Sequence, residues 1–151
     1  MWDKAVDGAH GHLVRKTKPN GLTFLADRIA HLIVPKMDHL ACFMGGALAL
    51  GAYTDPKGMD SDRARRDLRT ARALTYTCYQ MYARTNTGIA PEFTDFDGKD
   101  DMQVPGNAKF YILRPEAVEA FYYLNKLTGD PIYRSFRASK STAKRNTVMD
   151  R

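Results

Sequence analysis

The sequence predicts a mostly helical, all-α chain in which short strands or a hairpin are confined to the loops. Residues 38–53 and 62–84, and a third segment that begins near Pro115, keep apolar residues at helical spacing. Loops rich in Gly, Pro and acidic residues separate these segments, and no internal repeat is detectable. An alternation of long helices and loops is typical of an array of helical hairpins.

The N-terminal part combines one helix with two short apolar runs. Apolar residues recur at helical spacing over residues 2–14, which predicts a helix there. Residues 21–26 and 29–34 are apolar runs of strand length. They indicate either a hairpin or an irregular loop, and the periodicity does not decide between the two.

The next two predicted helices have different surroundings. Residues 38–53 are apolar on every side, with Asp38 at the N-cap position, which is typical of a buried helix. Residues 62–84 follow Ser61 as the candidate N-cap. The first half of this helix carries a run of arginines, which we interpret as a solvated outer face.

The remaining elements surround a third helix. Residues 86–107 are predicted to be a loop, because glycines and prolines interrupt any regular pattern. Residues 109–113 lead in extended form to the helix that begins at Pro115, where a missing N–H is tolerated. A further helix is expected from residue 130 to 136.

The net charge of +6 lies mainly at the C-terminal end. Residues 137–151 hold five basic residues and one acidic residue, a net +4, so residues 1–136 are close to neutral. A basic tail can bind phosphate nonspecifically, but more often it is a solvated, disordered end. We therefore expect no nucleic-acid partner. No apolar run approaches the ~18 residues of a membrane helix, and no signal peptide is visible.

Residues 111–134 are the most informative segment, because they place an arginine and two carboxylates at the mouth of an apolar helix. Glu116 and Glu119 fall on one face of the first turn, close to Arg114. A buried helix with acids at its start is typical of one wall of a pocket. The same two acids could also simply stabilise the start of the helix through its dipole.

This segment resembles the class I α-1,2-mannosidases, glycoside hydrolase family 47. Three further segments resemble motifs of that family in the same order, namely residues 35–52, 87–92 and, more weakly, 13–24. The resemblance extends to Arg134, and residues 135–151 depart from the family pattern. It implies an (α/α)7 barrel, to which this chain would contribute a few helices as a partial catalytic domain over residues 1–136.

The resemblance implies an inverting glycosidase that removes terminal α-1,2-linked mannose from oligomannose N-glycans or glycoproteins with the help of Ca²⁺. Glycoside hydrolysis normally needs two carboxyl groups across the scissile bond. By motif, Glu116 corresponds to the catalytic base of the family. The residues that correspond to substrate-binding positions are Arg114, His39, Glu92 and Glu119, of which Glu119 would also contact calcium-bound water.

Each of these residues also has a purely structural interpretation. Taken alone, His39 would more often be a hydrogen-bonded core histidine, and Asp38 would more often be only a helix cap. Several aromatic residues could stack on sugar rings, although aromatic residues at helical spacing usually belong to a core. They are Phe93, Phe96, Tyr111 and Tyr122.

The resemblance also implies that this chain holds only part of an active site. The general-acid candidates of the family would lie upstream of residue 1. The threonine that supplies two direct calcium ligands belongs to a Thr-Glu-Ala-His-Pro motif, which does not occur in this sequence. Glu116 would then lack both a metal-held water and a proton donor. The alternative function is a catalytically inactive truncated form or a weak oligomannose-binding module.

Cys42 and Cys78 allow two interpretations. From composition alone they are two buried thiols. The resemblance implies a disulfide between them, which would close a loop of about 36 residues and stabilise the fold by roughly 3 to 4 kcal/mol. The resemblance and such a disulfide imply the secretory pathway, either the endoplasmic reticulum or the Golgi, or secretion.

Overall fold

Within residues 1–96 and 98–136, which the computed structural model describes, four long α-helices supply most of the regular structure. They are α1 (Trp2–His12), α2 (Phe43–Tyr53), α3 (Asp62–Ala83) and α4 (Glu116–Thr128). Residues 132–136 are also helical, as expected. The predicted tail, residues 137–151, lies outside the described residues. None of the helices in the described part is both long and apolar enough to cross a membrane.

Helix α2 packs between α3 and α4, and two adjacent glycines make this close approach possible. A Cβ atom on Gly46 would lie 3.3 Å from the Cα of Ala120 in α4. A Cβ atom on Gly45 would collide with the side chain of Thr75 in α3. Each glycine therefore faces one neighbouring helix, in agreement with the buried helix that the sequence predicts.

In the described part of the chain, six short strands form three antiparallel pairs. They are β1 (Val14–Lys16), β2 (Thr23–Leu25), β3 (Asp27–Ile29), β4 (Leu32–Val34), β5 (Lys36–Asp38) and β6 (Phe93–Asp95). Strand β1 pairs with β2, and β3 pairs with β4, so the two apolar runs take part in short hairpins rather than in an irregular loop. Strand β6 lies within the segment predicted to be a loop. It pairs with β5, which is distant in the sequence, so no local pattern indicated it.

The largest buried side chains come mainly from α3, α4 and β5 and belong to one hydrophobic cluster, and they include Met37, Leu74 and Phe121. The disulfide Cys42–Cys78 crosses this core with a Cα–Cα distance of 5.9 Å, and both residues are fully buried. The disulfide that the resemblance implied is therefore present.

The arginine run at the start of α3 is only partly a solvated face, which corrects the interpretation from sequence. Arg63 forms ion pairs with Asp3 of α1 and with the buried Asp55, the latter at 2.9 Å. Arg66 forms an ion pair with Asp7 of α1 at 2.8 Å. These arginines face α1 because that helix supplies carboxylates along the adjoining surface, and together they join α1 to α3.

Two predicted helix caps have different outcomes. The Ser61 hydroxyl accepts a hydrogen bond from the Ala64 N–H at 3.1 Å, as expected of an N-cap. Asp38 lies at the N-cap of a 3-10 helix, His39–Cys42, that precedes α2, but its side chain makes no capping hydrogen bond. The Asp38 carboxylate instead forms an ion pair with Lys36 at 2.8 Å.

Candidate active site

The predicted site residues come from three segments that meet near the N-terminal end of α4. His39 begins the 3-10 helix, Glu92 precedes β6, and Arg114 and Glu116 lie at the start of α4. Backbone hydrogen bonds fix two of these segments, since the His39 N–H donates to the Glu92 carbonyl at 2.7 Å. The Glu92 N–H in turn donates to the Ala108 carbonyl at 3.0 Å.

Arg114 connects two carboxylates. Its Nε donates to Oε1 of Glu92 at 2.6 Å, and its Nη2 contacts the same oxygen. Its Nη1 lies 3.9 Å from Oε1 of Glu116. The hydrogen bond from Arg114 to Glu92, together with the charges of Glu92 and Glu116, raises the pKa of the guanidinium. A planar guanidinium between two carboxylates fixes the orientation of both acids.

In each of the two carboxylates, Glu92 and Glu116, one oxygen is available to a ligand. Oε2 of Glu92 and Oε2 of Glu116 are buried, and neither accepts a hydrogen bond within the described part of the chain. A buried carboxylate oxygen without a donor is energetically costly. A ligand hydroxyl or a water molecule would supply the missing donor, so this pair of oxygens is suited to bind a polyhydroxylated ligand.

The backbone before Arg114 has an unusual conformation. Leu113 has a φ of 62°, in the left-handed region that residues with a Cβ atom rarely adopt. Its side chain is 71% exposed, so no burial of that side chain accounts for the conformation. Leu113 directly precedes Arg114, and α4 begins two residues later at Glu116. Strained backbone of this kind often occurs at functional sites.

His39 is completely buried, and its Nε2 lies 2.6 Å from the hydroxyl oxygen of Tyr82. The ring of Tyr111 stands perpendicular to the His39 ring, with 6.0 Å between the ring centroids. The Tyr111 hydroxyl donates to the backbone carbonyl of Arg114 at 3.0 Å. His39 is thus buried and hydrogen-bonded, and Tyr111 also links it to the Glu92–Arg114–Glu116 cluster.

The other sequence candidates lie outside this cluster. Glu119 is exposed on the first turn of α4. Phe96 is buried and stacks on Phe24 with ring centroids 4.3 Å apart, so it belongs to the core. The ring of Phe93 lies beneath the Lys36 ammonium, and Tyr122 is exposed.

Sequence reasoning missed Tyr82, although the cysteines carried a signal for it. Tyr82 follows Cys78 by four residues, and His39 precedes Cys42 by three residues. Residues three or four apart lie on one face of a helix. Once Cys42 and Cys78 are joined, Tyr82 and His39 are therefore brought to the same side of the disulfide.

The described residues do not fit a direct calcium site. Within residues 1–96 and 98–136, no cluster of three or more His, Cys, Asp and Glu side chains could hold a metal ion. Ca²⁺ takes 6–8 oxygen ligands. The carboxylates of Glu92 and Glu116 already share the positive charge of Arg114. That charge opposes the binding of a cation between the two carboxylates.

Comparisons with known proteins agree with this geometry. Residues 1–147 match the family model described as Glycosyl hydrolase family 47. Mannosyl-oligosaccharide 1,2-alpha-mannosidase IA from Sus scrofa is 40% identical over 137 residues, which are 90% of this chain and 20% of the relative. The endoplasmic reticulum mannosyl-oligosaccharide 1,2-alpha-mannosidase from Homo sapiens is 36% identical over 138 residues, with 88% and 19% covered.

A solved structure is also similar to this chain. The alpha-1,2-mannosidase from Trichoderma reesei matches with a TM-score of 0.76 and 26% identity, over 94% of this chain and 31% of that chain. The helices described above are therefore part of an (α/α)7 barrel, as predicted. The chain spans about a fifth of the length of the curated relatives it matches. Because the family model covers residues 1–147, the chain belongs to glycoside hydrolase family 47.

Proposed function

We propose that this chain contributes part of the sugar-binding pocket of an α-1,2-mannosidase. In the complete enzyme, the reaction would be the inverting hydrolysis of terminal α-1,2-linked mannose from oligomannose N-glycans. The observation that carries this proposal is the Glu92–Arg114–Glu116 cluster, with two buried carboxylate oxygens available to a ligand. Membership of the family and the names of the relatives support it.

Glu116 is the proposed catalytic base. Its Oε2 accepts no hydrogen bond within the described residues, so it has a lone pair for the proton of an attacking water. In inversion, water attacks the anomeric carbon while the bond to the leaving oxygen breaks, and the base takes the water proton. Arg114, through Nη1 at 3.9 Å from Glu116, would hold this carboxylate in position.

Glu92, Arg114, His39 and Glu119 are the proposed substrate-binding residues. Oε2 of Glu92 would accept a hydrogen bond from a sugar hydroxyl, while its Oε1 stays on Arg114. Because Glu92 and Glu116 share one guanidinium, they lie on the same side of the site. A general acid across the scissile bond would therefore come from a different segment.

The alternative is an inactive truncated form or a weak oligomannose-binding module. The chain spans about a fifth of the length of the relatives it matches. The two buried carboxylate oxygens of Glu92 and Glu116 are the groups that such a module would use to bind a sugar. The described residues form no direct calcium site, so no step of the reaction is assigned to a metal here. Sugar binding without hydrolysis would need only the acceptor and donor groups already present.

Domain limits and cellular location are further parts of this proposal. Residues 1–136 would be a partial catalytic domain, and residues 137–151 a separate basic tail. The family match extends to residue 147, so deletion of residues 137–151 is the appropriate test. An unchanged melting temperature would support the boundary. The buried disulfide supports an oxidising compartment, such as the secretory pathway.

The test is to measure oligomannose binding and mannose release with the purified 151-residue chain, in calcium and in chelator. Saturable binding without release would support the binding-module alternative, and calcium-dependent release would support catalysis by this chain alone. Glu116→Gln should abolish any release, while Asp60→Asn, at an exposed ion pair with Arg65 outside the cluster, should not. If the folded chain binds no oligomannose, the sugar site proposed for it is wrong.

A further inference from the structure

Three side chains beside the candidate site and one backbone carbonyl form a continuous series of hydrogen bonds, here called the tyrosine relay. Nε2 of His39 lies 2.6 Å from the Tyr82 hydroxyl oxygen. The Tyr82 hydroxyl also forms a hydrogen bond with Tyr111, whose ring stands edge-on to that of Tyr82 with 6.4 Å between the ring centroids. The Tyr111 hydroxyl donates to the Arg114 carbonyl oxygen at 3.0 Å. The relay thus joins the 3-10 helix, the last turn of α3 and the segment before α4.

The direction of each hydrogen bond follows from counting protons. A tyrosine hydroxyl has one proton, and a carbonyl oxygen can only accept. Tyr111 therefore uses its proton on Arg114 and can only accept from Tyr82. Tyr82 then uses its own proton on Tyr111, which leaves the Tyr82 oxygen as an acceptor for Nε2–H of His39.

Burial maintains the direction of these hydrogen bonds, because it keeps the Tyr82 hydroxyl protonated. His39 is completely buried, and Tyr82 is 4% exposed. Burial, followed by the hydrogen bond to Tyr111 and the nearby charge of Glu116, raises the pKa of Tyr82 above its usual value. The hydroxyl therefore stays protonated at neutral pH, and the relay is not broken by loss of the Tyr82 proton.

We propose that Tyr82 and Tyr111 are positioning residues that keep the proton of His39 on Nε2 and anchor the backbone of Arg114. This inference rests on the proposed function, since His39 and Arg114 are two of the sugar-binding residues proposed above. One end of the relay fixes the tautomer and ring orientation of His39. The other end holds the carbonyl of Arg114, whose guanidinium orients Glu92 and Glu116.

The tautomer of His39 can be read directly by NMR of the histidine ring nitrogens in the ¹⁵N-labelled chain. The sequence has four histidines, and His39→Gln identifies the signals of His39 by their loss. In the unmodified chain, His39 should carry its proton on Nε2. Tyr111→Phe frees the Tyr82 proton to be donated to Nε2, so His39 should shift toward the Nδ1–H tautomer. Tyr82→Phe removes the acceptor and should also disturb the single tautomer.

Tyr79→Phe is the matched control. Tyr79 lies on α3, one turn before the last, and its ring stacks on Phe136 with centroids 4.0 Å apart. This variant loses the same hydroxyl group from the same helix but outside the relay, so the His39 signals should not change. An Nδ1–H tautomer in the unmodified chain would overturn the proposal. His39 signals that are unchanged in both Tyr82→Phe and Tyr111→Phe would do so as well.

Titration of the same samples with oligomannose separates this inference from the proposed function. If the unmodified chain shows the expected tautomer but binds no sugar, the proposed function fails and the proton order stands. If it binds, Tyr82→Phe should weaken binding by about tenfold, the typical effect of losing one hydrogen bond. Tyr79→Phe should bind as the unmodified chain does. Equal binding by Tyr82→Phe and the unmodified chain would refute the positioning role.

Discussion

The disulfide Cys42–Cys78 offers the most direct test of how this short chain is stabilised. Reduction should lower the free energy of unfolding, because it releases a closed loop in the unfolded state. The two cysteines are 36 residues apart. For a loop of that length, the chain-entropy model gives a loss of about 3.8 kcal/mol at 25 °C. Small domains are stable by only about 5–15 kcal/mol, so reduction should remove a large part of the total.

The assay is urea denaturation followed by circular dichroism, with the oxidised and reduced forms of the same chain compared at one pH. This comparison leaves the amino-acid sequence unchanged, so no side-chain volume is lost. A double variant, Cys42→Ala with Cys78→Ala, should be at least as unstable as the reduced chain, since it also loses packing in a fully buried position.

The result that would refute this reasoning is a difference below about 1 kcal/mol between the oxidised and reduced forms, since the loop model predicts several times that value. Such a result would mean that the packing of α2 on α3 already restricts the loop in the unfolded ensemble. Reduction should also disturb the His39 ring signals, because His39 and Tyr82 each lie about one turn from a cysteine.

Two further predictions concern a helix contact and acid stability. Gly46→Ala should destabilise the chain by about 1–3 kcal/mol, because the new Cβ atom would lie 3.3 Å from the Cα of Ala120. Gly8→Ala in α1, where a Cβ atom meets nothing within 4 Å, should instead stabilise it by about 0.5–1 kcal/mol, and thermal melting distinguishes the two. Burial opposes ionisation of Asp101, but hydrogen bonds from Thr17 and Asn20 lower its pKa below the ordinary 3.8. Its contribution to stability is therefore complete above about pH 4 and is lost as the pH falls through the lower folded-state pKa. Asp101→Asn, which suits the positive φ of 63°, should flatten the acid side of the curve of melting temperature against pH, and an unchanged curve would contradict this assignment.

The helices could be predicted because their evidence is local. The apolar spacing of residues 62–84 and the Ser61 cap fixed α3 to within one residue of its observed end. The pairing of β5 with β6 could not be predicted, because strands of three residues carry almost no periodic signal and their partner is distant in sequence. The same limit explains the arginines of α3, since ion pairs with α1 depend on a packing arrangement that no local pattern shows.

The candidate site likewise contains one contact that could be predicted from the sequence and one that could not. Arg114 and Glu116 are neighbours in the sequence, and their proximity at the start of α4 needed no tertiary information. Glu92 was predicted only from the family resemblance, and its contact with Arg114 results from the backbone hydrogen bonds that join it to His39 and Ala108.

The disulfide and the tyrosine relay act on the same two segments, and this connects stability with the proposed site. Cys42 lies one turn after His39, and Cys78 lies one turn before Tyr82, so one covalent bond sets the spacing of a hydrogen bond of 2.6 Å. A hydrogen bond between two buried groups depends steeply on distance and angle. A small shift between the 3-10 helix and α3 would therefore break it while the hydrophobic core remained packed. The expected consequence is a reduced chain that is still folded at low denaturant but in which His39 no longer has a single tautomer. If His39 loses its single tautomer at a lower denaturant concentration than the one that unfolds the chain, the local role of the disulfide is separated from its effect on global stability.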